Sequence, residues 1–204
     1  MFIEQPAPYL RWVYPHALWR MDRYDQSVYL TFDDGPIPEV TPWVLEVLDK
    51  YGVKATFFMV GDNVRKHPDV FEQVKAAGHR LGNHTFHHIG GLRHGVKGYL
   101  RDVEEANRLI GSDLFRPPHG WMKTWQYRGV RRAGYKIVMW DLVTRDYSRR
   151  LNGRDVLRIV RRLARPGSII TFHDSLKSHD KLLYALPRAV EFLLAEGYNF
   201  KTLP

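Results

Sequence analysis

Cysteine is absent from the 204-residue sequence. Its absence excludes disulfide bonds, thiolate metal sites and cysteine nucleophiles, and it removes the usual indicator of the redox compartment. Any metal ion must therefore bind to imidazole or carboxylate groups, for which the chain has 10 histidines and 22 acidic residues.

The sequence also lacks a long apolar run, internal repeats and low-complexity segments. No stretch is long enough to cross a bilayer, and the start, MFIEQP, lacks the basic segment and apolar run of a signal peptide. The localisation is therefore unknown from sequence, with the cytoplasm as the default expectation. A chain of this length without repeats fits one domain with a sizeable core.

Acidic residues are fewer than basic ones, which leaves a net charge of +9. Part of the excess lies in a segment that begins at Arg154 and ends at Arg165, where five arginines recur at helical spacing opposite apolar residues. We interpret this segment as a solvated helix face that makes at most a weak contact with an anionic surface. It has no aromatic-basic interleaving and no nucleic-acid motif, so no nucleic-acid partner is expected.

Short β-branched and aromatic runs alternate with amphipathic stretches, which predicts strand–helix units around a mainly parallel sheet. Seven strands are predicted, at residues 28–32, 55–60, 80–84, 114–116, 136–140, 168–173 and 198–201. Helices are predicted to begin at Thr41 and Pro68 and to cover 97–110, 124–133, 152–164 and 183–196. The aromatic-rich segment 6–21 is expected to cover the sheet.

Polar residues follow several of these strands, where parallel α/β folds build their sites. The acidic pair Asp33 and Asp34, in the stretch LTFDDGP, by itself also fits an ordinary solvated turn. His84 and His88, in HTFHH, can face one cation, although spacing alone leaves a pair of His84 with His87 open. Two imidazoles and one carboxylate leave room for water, as a hydrolytic metal centre requires. We hypothesise that one aspartate binds the cation and the other takes a proton from the metal-bound water.

Five sequence blocks occur in the order found in a known family: TFDDGP at 31–36, HTFHH at 84–88, RPPHG at 116–120, RDY at 145–147 and TFHD at 171–174. In this combination the chain resembles the polysaccharide deacetylases of the NodB-homology type, carbohydrate esterase family four, from about Val28 onward. The resemblance implies an α/β fold, a distorted (β/α) barrel of about seven parallel strands. It also implies a catalytic domain at 28–204, preceded by an N-terminal extension at 1–27 that packs on the barrel.

The resemblance further implies a metal-dependent hydrolase that removes N-acetyl groups from amino-sugar polymers or oligosaccharides, such as chitooligosaccharides or peptidoglycan. The expected cation is zinc, with cobalt, nickel or iron as alternatives, and the expected partner is an N-acetylated glycan. By the resemblance, Asp34, His84 and His88 are the metal ligands, Asp33 is the general base and His173 is the general acid. Arg116 is the charge partner of Asp33, and Asp146 is the charge partner of His173. The backbone N–H of His119 is the oxyanion donor, and Tyr147 and Thr171 line the pocket.

Four positions depart from the family pattern: Tyr147 replaces a tryptophan, Val143 an acid, Thr171 a leucine that lines the acetyl pocket, and His119 a frequent tyrosine. These changes are expected to alter the substrate pocket rather than the type of reaction. Three other interpretations stay open: a noncatalytic metal-containing glycan-binding module, a hydrolase of a different small carbon–nitrogen amide, and an iron(II) oxygenase. The last is opposed by the strand–helix alternation, since such oxygenases are generally all-β.

Overall fold

A computed structural model describes residues 4–204. Its sheet contains the strands β1 (Ser27–Asp33), β2 (Thr56–Met59), β3 (Arg80–Asn83), β4 (Leu114–Phe115), β5 (Lys136–Ile137), β6 (Leu142–Val143), β7 (Ile169–His173) and β8 (Asn199–Phe200). Seven strands follow the order β5-β4-β3-β2-β1-β7-β6, and β8 pairs with the start of β1. Every pairing is parallel, and β5 and β6 are the two ends of the path, so the strands form a half-barrel. The prediction of a distorted (β/α) barrel is confirmed.

The central strand β1 is buried at all seven positions. Continuous burial is the expected state of a parallel strand that is covered on both faces, and it explains the apolar run before the acidic pair. The register places Asp33 beside Phe58 of β2 and beside His173 of β7. Two residues that are 140 positions apart in the chain therefore meet at one edge of the sheet.

Eight α-helices surround the sheet: α1 (Leu10–Val13), α2 (Thr41–Lys50), α3 (Gly61–Lys66), α4 (Pro68–Ala76), α5 (Val96–Ile110), α6 (Thr124–Arg132), α7 (Gly153–Leu163) and α8 (His179–Ala195), within residues 4–204. Two 3-10 turns, Gly91–Arg93 and Pro118–Gly120, lie in the loops. The apolar sides of the helices are buried, as Val44 and Leu48 of α2 show. The Asn152 side chain caps α7 by accepting hydrogen bonds from two backbone N–H groups.

The segment before β1 lies against the open side of the half-barrel. The Leu18 N–H donates to the Ile137 carbonyl and the Leu18 carbonyl accepts from Met139, both at 2.8 Å. Further along, the Arg20 guanidinium donates two hydrogen bonds to the Pro166 carbonyl, at 2.6 and 2.8 Å. The division into an extension at 1–27 and a domain at 28–204 stays a prediction. The first three residues of the extension lie outside the described residues.

The arginine-rich segment is helix α7 and the residues that follow it. Arg158 pairs with Asp155 at 3.0 Å and Arg162 with Glu4 at 2.6 Å, and these acids offset part of the charge. A contact of this helix with an anionic surface stays a prediction. Within residues 4–204, the helices are all too short or too polar to cross a membrane.

Candidate active site

The candidate site lies at the carboxyl ends of the parallel strands. Asp33 is the last residue of β1, His84 follows β3, Arg116 follows β4 and His173 is the last residue of β7. These four residues line a cavity of about 480 Å³. The fold therefore brings together the polar groups that the sequence places after separate strands.

Asp34, His84 and His88 form a cluster that can hold one cation. One potential ligand atom from each side chain lies within 4.8 Å of the other two. The Asp34 Oδ1 atom is 3.2 Å from His88 Nε2 and 3.9 Å from His84 Nε2. Tetrahedral zinc with bonds of about 2.0 Å places its ligands about 3.3 Å apart, so this spacing fits such an ion. The donor set of two imidazoles and one carboxylate also suits cobalt, nickel or iron.

Backbone conformations that L-residues seldom adopt bring these side chains together. Asp34 has φ of 86° and His88 has φ of 53°, both in the left-handed region. Each such residue costs about 1–3 kcal/mol and persists only where surrounding contacts hold it. The Asn63 side-chain amide donates to the Asp34 carbonyl at 2.8 Å, and the Thr85 hydroxyl accepts from the Ile89 N–H at 3.1 Å. These contacts hold the two loops that carry the cluster.

His84 is held as a neutral ligand. Its Nδ1 lies 2.8 Å from the Arg116 carbonyl, to which Nδ1–H donates, so the Nε2 lone pair faces Asp34. Burial lowers the pKa of His84 to about 4, against the attraction of the nearby carboxylates. A neutral imidazole is the form that binds a metal.

Asp34 is held as a carboxylate. Burial raises the pKa of its carboxyl, but the hydrogen bond from His88 and the positive charge of His173 outweigh burial and hold the pKa well below its usual range. His87, by contrast, faces away from the cluster, since its Nδ1 lies 2.6 Å from the Asp102 carboxylate. The geometry therefore groups His84 with His88 rather than with His87.

Asp33 and Arg116 form a buried ion pair beside the cluster. Arg116 Nη1 donates to Asp33 Oδ1 at 2.6 Å and to the Thr31 hydroxyl at 2.8 Å. Nη2 donates to the Met139 carbonyl, and the guanidinium lies 4.1 Å from the centre of the Phe58 ring. Residues 4–204 offer no hydrogen bond to the other oxygen of Asp33, Oδ2, so that oxygen can accept a proton from the cavity.

His173 and Asp146 form a second pair within the cavity wall. Asp146 is fully buried, and its two oxygens accept hydrogen bonds from His173 Nδ1 and the His173 backbone N–H, each at 2.8 Å. Burial alone lowers the pKa of His173, but the Asp146 carboxylate outweighs burial and raises the pKa to about 9. The Tyr147 ring meets the imidazole edge to face at 4.9 Å. His173 can therefore donate a proton at neutral pH.

The remaining predicted residues complete the cavity wall. His119 has φ of 61°, and its ring lies 5.0 Å from that of His88. Thr171 is buried, with its hydroxyl 3.1 Å from that of Thr31 on the neighbouring strand. Because this hydroxyl already has a partner, Thr171 presents a less polar wall than its residue type indicates.

Asp174 supports the acidic loop, a role for which the sequence gives little signal beyond its place after His173. Its carboxyl is fully buried and accepts hydrogen bonds from the Gly35 N–H at 3.1 Å and the Thr41 hydroxyl at 2.6 Å. Burial raises the pKa of Asp174 to about 8. A Cβ atom on Gly35 would collide with this carboxyl, which explains the glycine after the acidic pair.

The known proteins to which this chain is similar include deacetylases of glycans. The family model described as polysaccharide deacetylase matches residues 20–138. A peptidoglycan-N-acetylglucosamine deacetylase of Bacillus cereus is 30% identical over 92% of this chain and 91% of its own. A chitooligosaccharide deacetylase of Rhizobium leguminosarum bv. trifolii is 33% identical over 88% of this chain and 91% of its own. The crystal structure of the Bc1960 peptidoglycan N-acetylglucosamine deacetylase, bound to a benzamide, superposes with a TM-score of 0.88 at 29% identity, over 98% of this chain and 96% of that one.

Proposed function

The chain belongs to the polysaccharide deacetylase family, and we propose that it is a metal-dependent hydrolase that removes acetyl groups from N-acetylated amino sugars in peptidoglycan-like or chitooligosaccharide-like glycans. One observation carries the proposal. A cluster of Asp34, His84 and His88 lies beside the carboxylate of Asp33, which is not part of the cluster, and a charged His173 lines the same cavity. Metal-assisted amide hydrolysis uses this combination of a cation site, a base and an acid.

Asp34, His84 and His88 are the residues that would hold the cation. Zinc is the first candidate, and the donor set also accepts cobalt, nickel and iron. A bound divalent cation supplies a Lewis acid, which polarises the amide carbonyl and lowers the pKa of water. The carbonyl of Arg116 fixes the His84 ring, so this ligand keeps its orientation before any ion binds.

Asp33 acts as the general base in this proposal. Its Oδ1 is held by Arg116, while Oδ2 accepts the proton of the attacking water. The guanidinium in turn is anchored to the Met139 carbonyl and the Thr31 hydroxyl, so the carboxylate cannot rotate away without breaking a buried ion pair. Such anchoring keeps the base aimed at the cavity.

His173 acts as the general acid. The departing amine nitrogen needs a proton to leave, and an imidazolium held by Asp146 supplies it from Nε2. Asp146 receives the Nδ1–H and stabilises the positive charge, as a buried carboxylate does for an imidazole in hydrolytic sites. The backbone N–H of His119 is proposed as a donor to the oxyanion, with Tyr147 and Thr171 as walls of the acetyl pocket.

Acetate release tests the proposal. The protein, supplied with zinc, is incubated with chitopentaose and with peptidoglycan glycan strands, and freed acetate and amines are measured. We expect release from at least one of these glycans, and loss of release in Asp33→Asn. The matched control is Asp62→Asn, which removes a carboxylate on the neighbouring surface that pairs with Lys66 and Arg65.

The same experiment separates the alternatives. Glycan binding without acetate release, unchanged in Asp33→Asn, would indicate a noncatalytic binding module. Release from a small amide but from no glycan would indicate a different amidase. Full activity in Asp33→Asn would contradict the assignment of the base.

A further inference from the structure

An acidic residue, Asp102, lies on the buried side of helix α5. The helix buries Tyr99, Val103, Ala106 and Ile110 at intervals of three and four residues, and Asp102 falls within that apolar stripe. Only 8% of the residue is exposed. A buried carboxylate costs free energy unless hydrogen bonds satisfy its oxygens, so a carboxylate in this position requires partners.

The partners of Asp102 lie in residues 84–88, which we call the ligand loop because its first and last residues are candidate metal ligands. Asp102 Oδ1 accepts hydrogen bonds from the backbone N–H groups of Phe86 and His87, at 2.7 and 3.1 Å. Its Oδ2 lies 2.6 Å from His87 Nδ1. A single carboxylate therefore holds the middle of the segment that joins the two ligands.

Helix α3 binds the carbonyl groups of the same loop. The Gly61 N–H donates to the Thr85 carbonyl at 3.0 Å, and the Asp62 N–H donates to the Phe86 carbonyl at 2.9 Å. The first N–H groups of a helix have no acceptor within the helix, so these donors are available. The Phe86 ring packs so close to Gly61 that a Cβ atom there would lie 2.6 Å from it. The loop is thus held through its carbonyls by α3 and through its N–H groups by α5.

The ligand loop depends on such support because its backbone is strained. Thr85 has φ of 66° and His88 has φ of 53°, and a β-branched residue seldom adopts positive φ. These conformations persist only where surrounding contacts hold them. The Thr85 N–H donates to the Asn83 side chain, whose amide donates to the Val103 carbonyl of α5, each at 2.8 Å. Helix α5 therefore supports the loop twice, and the direct contacts are those of Asp102.

We infer that Asp102 is a positioning residue of the cation site: its three hydrogen bonds hold the ligand loop in the conformation in which His84 and His88 face one ion. This role rests on the proposed function and adds to its cation site a residue that is not a ligand. A loop that is ordered before the ion arrives loses less conformational entropy on binding, so it binds the ion more tightly. Loss of Asp102 should therefore weaken the binding of zinc.

Zinc affinity, measured without substrate, tests this role. The chelated protein is titrated with zinc in competition with a chelating dye at neutral pH. Asp102→Ala leaves two N–H groups of the loop without acceptors, and we expect its zinc affinity to fall about tenfold to hundredfold. Asp102→Asn keeps Oδ1 for both N–H groups, and its amide can donate to His87 Nδ1 when that imidazole carries its proton on Nε2. We expect this variant to stay within about threefold of the wild-type affinity.

A third variant separates the position of the carboxylate from its charge. Asp102→Glu keeps the charge but adds a methylene group, which displaces the oxygens from the loop, so we expect it to bind zinc more weakly than Asp102→Asn. Because Asparagine and glutamate both keep a polar group at this position, their order decides the question even if Asp102→Ala does not fold. An affinity of Asp102→Asn equal to or below that of Asp102→Glu would show that the charge acts instead, and would overturn the inference.

Two control variants exclude indirect effects. Glu104→Ala removes an exposed carboxylate from the same helix, and Val190→Ala removes apolar volume from the buried side of helix α8, which packs against α7. Urea unfolding of the zinc-free proteins measures how far each variant destabilises the fold. Both controls should keep the wild-type zinc affinity. A loss in Val190→Ala as large as that in Asp102→Ala would assign the effect to general destabilisation and would overturn the inference.

The positioning role and the proposed function fail differently. Wild-type zinc affinity in Asp102→Ala would refute the role of Asp102 and leave the cation site standing. No binding of zinc by the wild-type protein would refute both.

Discussion

Replacing Asp146 with asparagine tests the origin of the charge on His173. Burial favours the neutral imidazole, and the Asp146 carboxylate reverses this preference and raises the pKa of His173 to about 9. Asparagine keeps the shape and removes the charge, so we expect the pKa of His173 to fall to its ordinary value of 6.5 or below. At about pH 8, the protonated fraction of His173 then falls roughly 30-fold.

The same substitution changes how stability depends on pH. A histidine whose pKa is raised by folding contributes stability that is complete below pH 6.5 and is lost as the pH rises through 9. The full contribution is roughly 3 kcal/mol, and the His173 side chain is 14% exposed, so solvent screens little of it. Between these pH values the chelated wild-type protein should lose roughly 3 kcal/mol of unfolding free energy that Asp146→Asn does not lose.

Urea unfolding of the chelated protein at a series of pH values measures this difference, and NMR titration of His173 measures its pKa directly. Asp102→Asn is the matched control, since Asp102 also pairs with a histidine, His87, but outside the metal-ligand cluster. This control should leave the titration of His173 unchanged. Parallel stability curves for wild type and Asp146→Asn, or the same pKa of His173 in both, would refute the reasoning.

Other residues of the site give three further predictions. His84→Ala should abolish stoichiometric zinc binding in elemental analysis, and a variant that still bound one zinc ion would contradict the ligand assignment. Arg116→Met should cost about 3–5 kcal/mol of unfolding free energy in urea, because it leaves Asp33 buried without its partner; an unchanged midpoint would show that the pair is not essential to the fold. Zinc added to the chelated protein should lower the pKa of His173, because it neutralises Asp34, one of the charges that raise it; no shift in the NMR titration would place the ion elsewhere.

The order of strands and helices could be predicted because their residue patterns are strong. The buried strand β1 is mostly apolar up to its acidic end, and helix α7 shows its arginines and apolar residues at clear helical spacing. The acids and histidines of the site follow these strands directly. Their convergence was predictable from the rule that parallel strands meet at one edge.

Strand β6 is one of the short elements that could not be predicted. Residues 136–140 are predicted as one strand, but the pairing ends at Ile137, and β6 begins separately at Leu142. Asp141 lies between them and is fully buried in an ion pair with Arg165, a contact across 24 positions. A two-residue strand shows no periodicity, so β6 is defined by its parallel pairing with the distant strand β7.

Helix α3 is another element that was not predicted. It covers six residues, begins at Gly61 without a capping side chain and buries only Gly61 and Val64. A helix this short depends on tertiary packing rather than on its own sequence. The support that Asp174 gives to the loop at Gly35 is likewise a contact across 139 positions, which local sequence cannot show.

A zinc titration of the chelated protein, with acetate release followed at each addition, tests the central claim most directly. If Asp34, His84 and His88 hold the catalytic ion, turnover of an N-acetylated glycan should be absent at the start, rise in proportion to zinc and level off at about one equivalent. Full turnover by the metal-free protein, or no turnover after one zinc ion has bound, would contradict the account.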